Sequence, residues 1–413
     1  MNTSIRFLIL AFVVLSGTPH CLRLQAQSSI VKADNIRSLQ LSVDGDPLAP
    51  PVMTLGKQHI SIEFDEMSHD YHRLTYHIQH CNADWTETEE LFESDYLSGF
   101  NDRPIEDYEN SFNTSQLYTH YRLTLPNPDT RLLLSGNYRV SIYEDDDRET
   151  PLLQAEFCVV TPTMSIGATV SGNTDIDFNQ RHQQVSFSVA YGTNKVTDPS
   201  RELHTVVMQN RRQDNKVTGL RPNIQKSTGV EFSYQRELIF PAGNEFHKFE
   251  ILDVQKPGLN IDNMRWYAPY YHATLFADQP ARNYVYTEDQ DGAFVMRNDD
   301  DYGDDATTSE YLWVHFALQC QEPYTGGDIY VHGWWSNGPF DPACRMTWNE
   351  ETHQYEVAIY LKQGYYNYMY LQENGESPDG NFYETENEYI ILVYHRPQGG
   401  RYDKLVGYRK LKT

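Results

Sequence analysis

Four histidines, His69, His72, His77 and His80, crowd together and end against Cys81. Imidazole and thiolate ligate zinc and copper, so the cluster raises a metal site. Its spacing argues against one. Leu74, Tyr76 and Ile78 alternate with polar neighbours, a strand pattern that puts His72 and His80 on one face and His69 and His77 on the other. Residues eight apart on a strand lie ~26 Å apart at ~3.3 Å per residue. No HExxH or CxxC accompanies them. Nucleophilic and phosphate chemistry lack their frames too: there is no GxSxG, no GxxxxGK[ST] and no GxGxxG. Paired carboxylates would suit glycoside cleavage, but among 58 acidic residues no particular pair stands out. Asp299, Asp301 and Gly303 echo a calcium loop without its spacing or its distal Glu. The run 299–305 therefore reads as a solvated linker. Glu144 to Asp147 reads as a hairpin turn. No cofactor or metal is expected.

The elements around these residues are strands. Val185, Phe187, Val189 and Tyr191 alternate with small residues; Tyr138, Val140 and Ile142 do the same, as do Tyr355, Val357, Ile359 and Leu361. Helical spacing is scarce, with Thr86 to Leu97 the best candidate. The formal charge is −25, from 33 basic and 58 acidic residues. That excludes nucleic acid and anionic lipid as partners, since both require clustered Lys and Arg. Thirty Tyr, 18 Phe and 6 Trp argue for folded structure despite the acidity.

The apolar run 7–16 after Arg6 is too short to span a membrane and matches a secretory signal, with a cut after Ala26. Cys21 follows His20 rather than the small residue a lipidation signal needs. No later segment is long and apolar enough to span. Thr161-Pro162-Thr163 and the acidic run after Asn298 then divide the chain into 27–163, 164–297 and 298–413. Their basic and acidic counts are 9 against 24, 14 against 15, and 8 against 19, giving −15, −1 and −11. Each block has the size of an immunoglobulin-like sandwich, so the expected fold is all-β, with tandem immunoglobulin-like or early-set sandwiches. Export permits disulfides. Pairing Cys81 with Cys158 and Cys320 with Cys344 keeps each bridge inside one block. Four free thiols are the alternative, favoured by Cys158 facing away from Leu153, Ala155, Phe157 and Val159.

The third block has a more specific pattern. Ile329 to Val331 leads into His332-Gly333-Trp334-Trp335. After the strand Tyr355 to Leu361 come Gly364-Tyr365-Tyr366 and Asn374-Gly375. This order resembles the glycogen-binding type of early-set module. Trp334 and Trp335 are then possible sugar-stacking aromatics. Packing at the sandwich edge or against a partner protein is the preferred reading.

Longer strings decide the reading. They are His80-Cys81-Asn82-Ala83-Asp84-Trp85; Tyr96-Leu97-Ser98-Gly99-Phe100; Ser111-Phe112-Asn113-Thr114; and Tyr118-Thr119-His120-Tyr121. Near the carboxyl end come Phe382-Tyr383-Glu384-Thr385-Glu386-Asn387-Glu388-Tyr389, Arg396, Arg401-Tyr402-Asp403 and Gly407-Tyr408. This set is similar to the Plug protein family of the bacterial type IX secretion system. The resemblance implies an exported protein of the Bacteroidetes-type envelope. Such a protein would sit in the periplasm and close the inner side of the outer-membrane β-barrel translocon when no cargo is present. It implies no catalytic residues and no cofactors. The contact is expected on the first or third block, with Trp85, Phe100, Tyr118, His120, Tyr383 and Tyr389 as candidates; Trp85 reads as packed. The alternative function is an exported carbohydrate-binding protein using Trp334 and Trp335. A secreted hydrolase has least support.

Overall fold

A computed structural model describes residues 29–145, 147–299 and 303–413. The signal-peptide reading of residues 1–26 lies outside these residues. Three β-sandwiches are built, each where alternating strands bury one face against a second sheet. In the first, Leu153–Val160 and Leu74–Cys81 flank Gly136–Glu144, with short strands at the sheet's edges. The facing sheet runs Ile36–Val43, Ile60–Glu66, Thr119–Leu125, Asp107–Asn110. Ile60, Ile62 and Phe64 meet Tyr76, Ile78, Val140 and Phe157 in its core.

The middle sandwich is discontinuous. One sheet holds Ser165–Ser171, His182–Ala190, Gly229–Phe232 and Ile224–Lys226. The other places Leu203–Gln209 beside Glu388–His395, which pairs in turn with Lys404–Lys412. Tyr389, Ile391 and Val393 therefore share a core with Val185, Phe187 and Val207. The third sandwich is inserted between these two parts. Its sheets are Ile261–Tyr267, Tyr270–Leu275, Tyr311–Gln319, Gln354–Lys362 and Thr347–Asn349 against Gly364–Gln372 with its partners His247–Ile251, Phe294–Met296 and Ile329–His332.

The expected boundary at 297/298 is thereby corrected. Phe294–Met296 and Tyr311–Gln319 belong to one sandwich, so the acidic run crosses within a body and does not link two. Local alternation identifies strands but carries no record of their partners. Asp300 to Tyr302 lie outside the described residues, and the calcium reading with them. Asp304 caps the short helix Asp305–Thr308 by accepting from the Ala306 amide. The helix expected over Thr86 to Leu97 shrinks to Glu93–Tyr96. A tight turn at Asn82 to Thr86, with Trp85 in the left-handed region at φ 67°, precedes it.

All four cysteines among the described residues are unpaired, which corrects the proposed bridges. Cys81 and Cys158 lie on opposite sides of the same residue, Asn137, in the strand between them. Two strand spacings, ~9–10 Å, exceed the ~7 Å that a disulfide can bridge. The face of Leu153–Val160 that carries Cys158 is not solvent-facing either. Cys158 and Val160 are buried against Val206, Ile390, Leu392, Tyr394 and Leu405 of the middle sandwich. Cys344 is buried in the third core, and Cys320 packs against that core.

Candidate functional site

The residues singled out at the two ends of the chain converge on the junctions between sandwiches. At the junction of the first and middle ones, Ala83 donates its amide to Asp403 at 2.9 Å, and Arg396 pairs with Asp403 at 2.9 Å. Arg396 also donates to Asn82. Asn137 donates to the Asn82 carbonyl at 2.9 Å and accepts from the Tyr394 hydroxyl at 2.7 Å. Cys81 is fully buried beneath this network. Trp85 is half-buried against the same apolar cluster as Tyr408, and its carbonyl accepts from Arg139 at 3.0 Å. Gly407 lies against Ile166, where an added Cβ would come within 3.2 Å of its side chain. Asp84 is exposed and holds the turn through Thr86.

His80 sits inside this junction, bonded to Thr88 at 2.9 Å and edge-on to Tyr402. Burial pushes its pKa down to about 4, outweighing the Ser135 carbonyl and the Asp403 charge. The unfolded chain takes up this proton near pH ~6.5 and the folded chain only near 4. Stability is therefore full above ~6.5 and is lost as pH falls through that window. Urea unfolding at pH 7 and at 4.5 should show wild type losing about 2 kcal/mol more than His80→Gln. Equal losses would contradict the assignment.

At the junction of the first and third sandwiches, Asp65 accepts from Lys362 at 2.6 Å, Tyr311 at 2.6 Å and His120 at 2.7 Å. Asp65 and Lys362 are both fully buried. Burial alone would raise the Asp65 carboxyl, but Lys362 and His120 outweigh it and hold it below the usual range. Tyr118 donates to the Ser309 carbonyl at 2.8 Å and offers its ring to Lys362 at 4.1 Å. Tyr121 stacks on Phe64 in the first core. Tyr118 and His120 are thus internal, not the outward contacts expected of them. Asn113 is exposed at φ 61°, and Thr114 is half-buried. Gly99 takes φ 106°, and a Cβ there would lie 1.9 Å from the Asp129 carbonyl oxygen. Phe100, beside it, is 65% exposed and is the one expected contact residue that faces fully outward.

The segment from Tyr383 to Tyr389 carries the chain from the third sandwich back to the middle one. Tyr383 covers Gly172. Gln183 donates to the Tyr383 and Thr385 carbonyls, both at 2.8 Å. Asn387 donates to Gln183 and Ala242 and accepts from Asn210. Glu386 pairs with Lys412 at 3.7 Å. Tyr389 is fully buried, so it and Tyr383 are packed; Glu384 alone is exposed.

Trp334 and Trp335 are both half-buried. Trp335 donates to the Asn367 carbonyl and packs on Phe316 and Tyr366. Trp334 donates to the Asn210 carbonyl, and the Arg211 guanidinium lies 3.3 Å from its ring centre. Neither forms the outward platform that sugar stacking needs. Both line a cavity of about 1680 Å³ walled by all three sandwiches. Arg211 spans its rim, donating to the Leu48 and Ala49 carbonyls and pairing with Glu388 at 3.1 Å.

The histidine cluster disperses, but strand alternation governs only His77 and His80 in Leu74–Cys81, because His69 and His72 lie in the connection before that strand. His69 bonds to the Ser111 carbonyl, His72 to Glu144, and His77 to Asp102. Among the described residues no group of three or more His, Cys, Asp or Glu could hold a metal. The residues sequence reasoning missed are Asp65, Lys362, Tyr311 and Arg211. Each sits in a strand or turn where alternation implies solvent, and no local signal marks it.

Comparison with known proteins matches the first sandwich. Residues 36–161 match the family described as Type 9 secretion system plug protein 1st domain. A crystal structure of a hypothetical protein from Parabacteroides merdae ATCC 43184 superposes with a TM-score of 0.89. It is 39% identical and covers 94% of this chain and 99% of its own. No curated protein matches. No helix among the described residues is long and apolar enough to cross a membrane. The chain belongs to the type IX secretion system plug protein family, whose first domain its residues 36–161 match.

Proposed function

We propose that this chain is a non-enzymatic, exported subunit that seats on the periplasmic side of the outer-membrane β-barrel translocon and occludes it in the absence of cargo. The observation that carries the reading is the family match over residues 36–161 of the first sandwich. The physical organisation suits the task. An obstructing body must resist deformation, and here a buried ion pair at the first–third junction and hydrogen bonds at the other junctions fasten the three sandwiches. A releasable contact calls for surface aromatics among polar groups, because Tyr and Phe bury area at low entropy cost. Exposed Phe92, Phe100 and Phe112 on the first sandwich supply them. Deleting the gene should make the outer membrane leaky to large solutes, with the chain restored in trans closing it. Unchanged permeability would defeat the reading.

A further inference from the structure

We propose that the free edge of the first sandwich at Asp107–Asn110 docks an extended segment of the translocon that alternates Lys or Arg with apolar side chains. The inference rests on the occluding reading and names the surface and the partner chemistry. Asp107–Asn110 ends its sheet, pairing on one side with Thr119–Leu125. Nothing among the described residues pairs with its other edge, and all four residues are exposed. A free edge is a row of unmatched amides and carbonyls, which another strand completes.

The edge selects its partner by charge. Glu106, Asp107 and Glu109 fall in residues 105–121, which hold no Lys or Arg. The cation opposite Asp107, Arg122, is held by Glu63 at 3.2 Å and by Asp304 at 3.5 Å. A second copy of this edge would set acid against acid, so the strand rejects itself and favours a basic strand. The other face is aromatic. Tyr108 leans on buried Tyr121 and touches Tyr71, with ring centres 4.7 Å apart. Tyr71 and Tyr108 are 51% and 43% exposed. Asp107 and Glu109 lie on the opposite face of the strand, across from Arg122 and His120. A docked strand, whose side chains alternate in the same way, would present basic residues to the acids and apolar ones to the two rings.

The surface is also held in shape. Phe112 donates its amide to the Thr307 carbonyl at 2.9 Å. Ser115 and Gln116 donate theirs to the Glu310 carboxylate at 2.5 and 3.1 Å. Little ordering is left for binding to supply.

The test is capture of the translocon barrel, identified by antibody, from detergent-solubilised envelope by the full mature chain. Asp107→Lys with Glu109→Lys, and separately Tyr71→Ser with Tyr108→Ser, should each lower capture about ten-fold at unchanged melting temperature. Glu237→Lys on the middle sandwich should leave it unchanged. About 0.5 M salt should weaken capture by wild type. A photo-crosslinking residue at position 112 should mark a barrel peptide in which Lys or Arg alternates with apolar residues. Wild-type capture by both double variants, or a crosslink to a second copy or to a segment without Lys or Arg, overturns the inference alone. Failure of wild type to capture the barrel overturns the occluding reading with it.

Discussion

Lys362→Ala is expected to cost about 3–5 kcal/mol, the usual consequence of removing one partner from a buried ion pair. The ammonium reaches Asp65 at 2.6 Å and the Ala306 carbonyl at 2.5 Å, with Tyr118 beneath it. Its loss leaves Asp65 buried away from solvent, with His120 as its remaining cationic partner and Tyr311 as a neutral donor. Against a total of about 5–15 kcal/mol for a typical domain, that is a large fraction. A double variant, Asp65→Asn with Lys362→Met, removes both charges. It should cost clearly less than the sum of its singles, because the two groups act through one contact. Urea unfolding of the four proteins checks this. Additive losses, or a single-variant loss under about 1 kcal/mol, would mean that the pair does not bind the first and third sandwiches together.

Arg211→Ala is expected to cost about 2–4 kcal/mol, somewhat less, because Glu388 keeps Lys410 at 2.7 Å when the guanidinium is gone. What disappears is a side chain that touches all three bodies: two carbonyls of the first, a carboxylate of the middle and an indole of the third. A desolvated guanidinium on a Trp face contributes about 2 kcal/mol, and its charged hydrogen bonds add to that. Arg211→Lys should rescue little, since an ammonium lacks the planar fork and stacking face. Hydrogen exchange gives the sharper readout. Amides around Leu48 and Trp334 should lose protection together, while the core strand Val185 to Val189 keeps its own. Loss confined to one sandwich would contradict the bridging role.

What the sequence revealed and concealed follows from the range of the forces involved. Alternation in Val185 to Tyr191 and in Tyr138 to Ile142 reports a local property, one buried face, and both segments are strands. Leu153–Val160 and Glu388–His395 break the rule in opposite ways. In the first, Glu156 and Cys158 look solvent-facing yet both are buried, Glu156 paired with Arg139 and Cys158 packed against the middle sandwich. In the second, a nearly unbroken apolar run marks a strand covered on both faces, but it does not say by what. The family strings were legible as strings. Their role was not, because Ala83 and Asp403 meet across 320 positions. Asp65 and Lys362 are further apart in kind. A charged residue at a strand end reads as a solvated one, and only the packing of two sandwiches turns it into a buried pair. For Trp334 and Trp335 the sequence preferred packing to sugar stacking but named no partners, which are Phe316 for one ring and the Arg211 guanidinium for the other.

The central claim is occlusion, and pore conductance tests it most directly. The purified barrel, opened by removal of its partners and inserted in a planar bilayer, should carry a steady current. Adding the mature chain on the periplasmic side should abolish that current, and adding it on the opposite side should not. A barrel that binds the chain stoichiometrically and conducts as before would contradict the account.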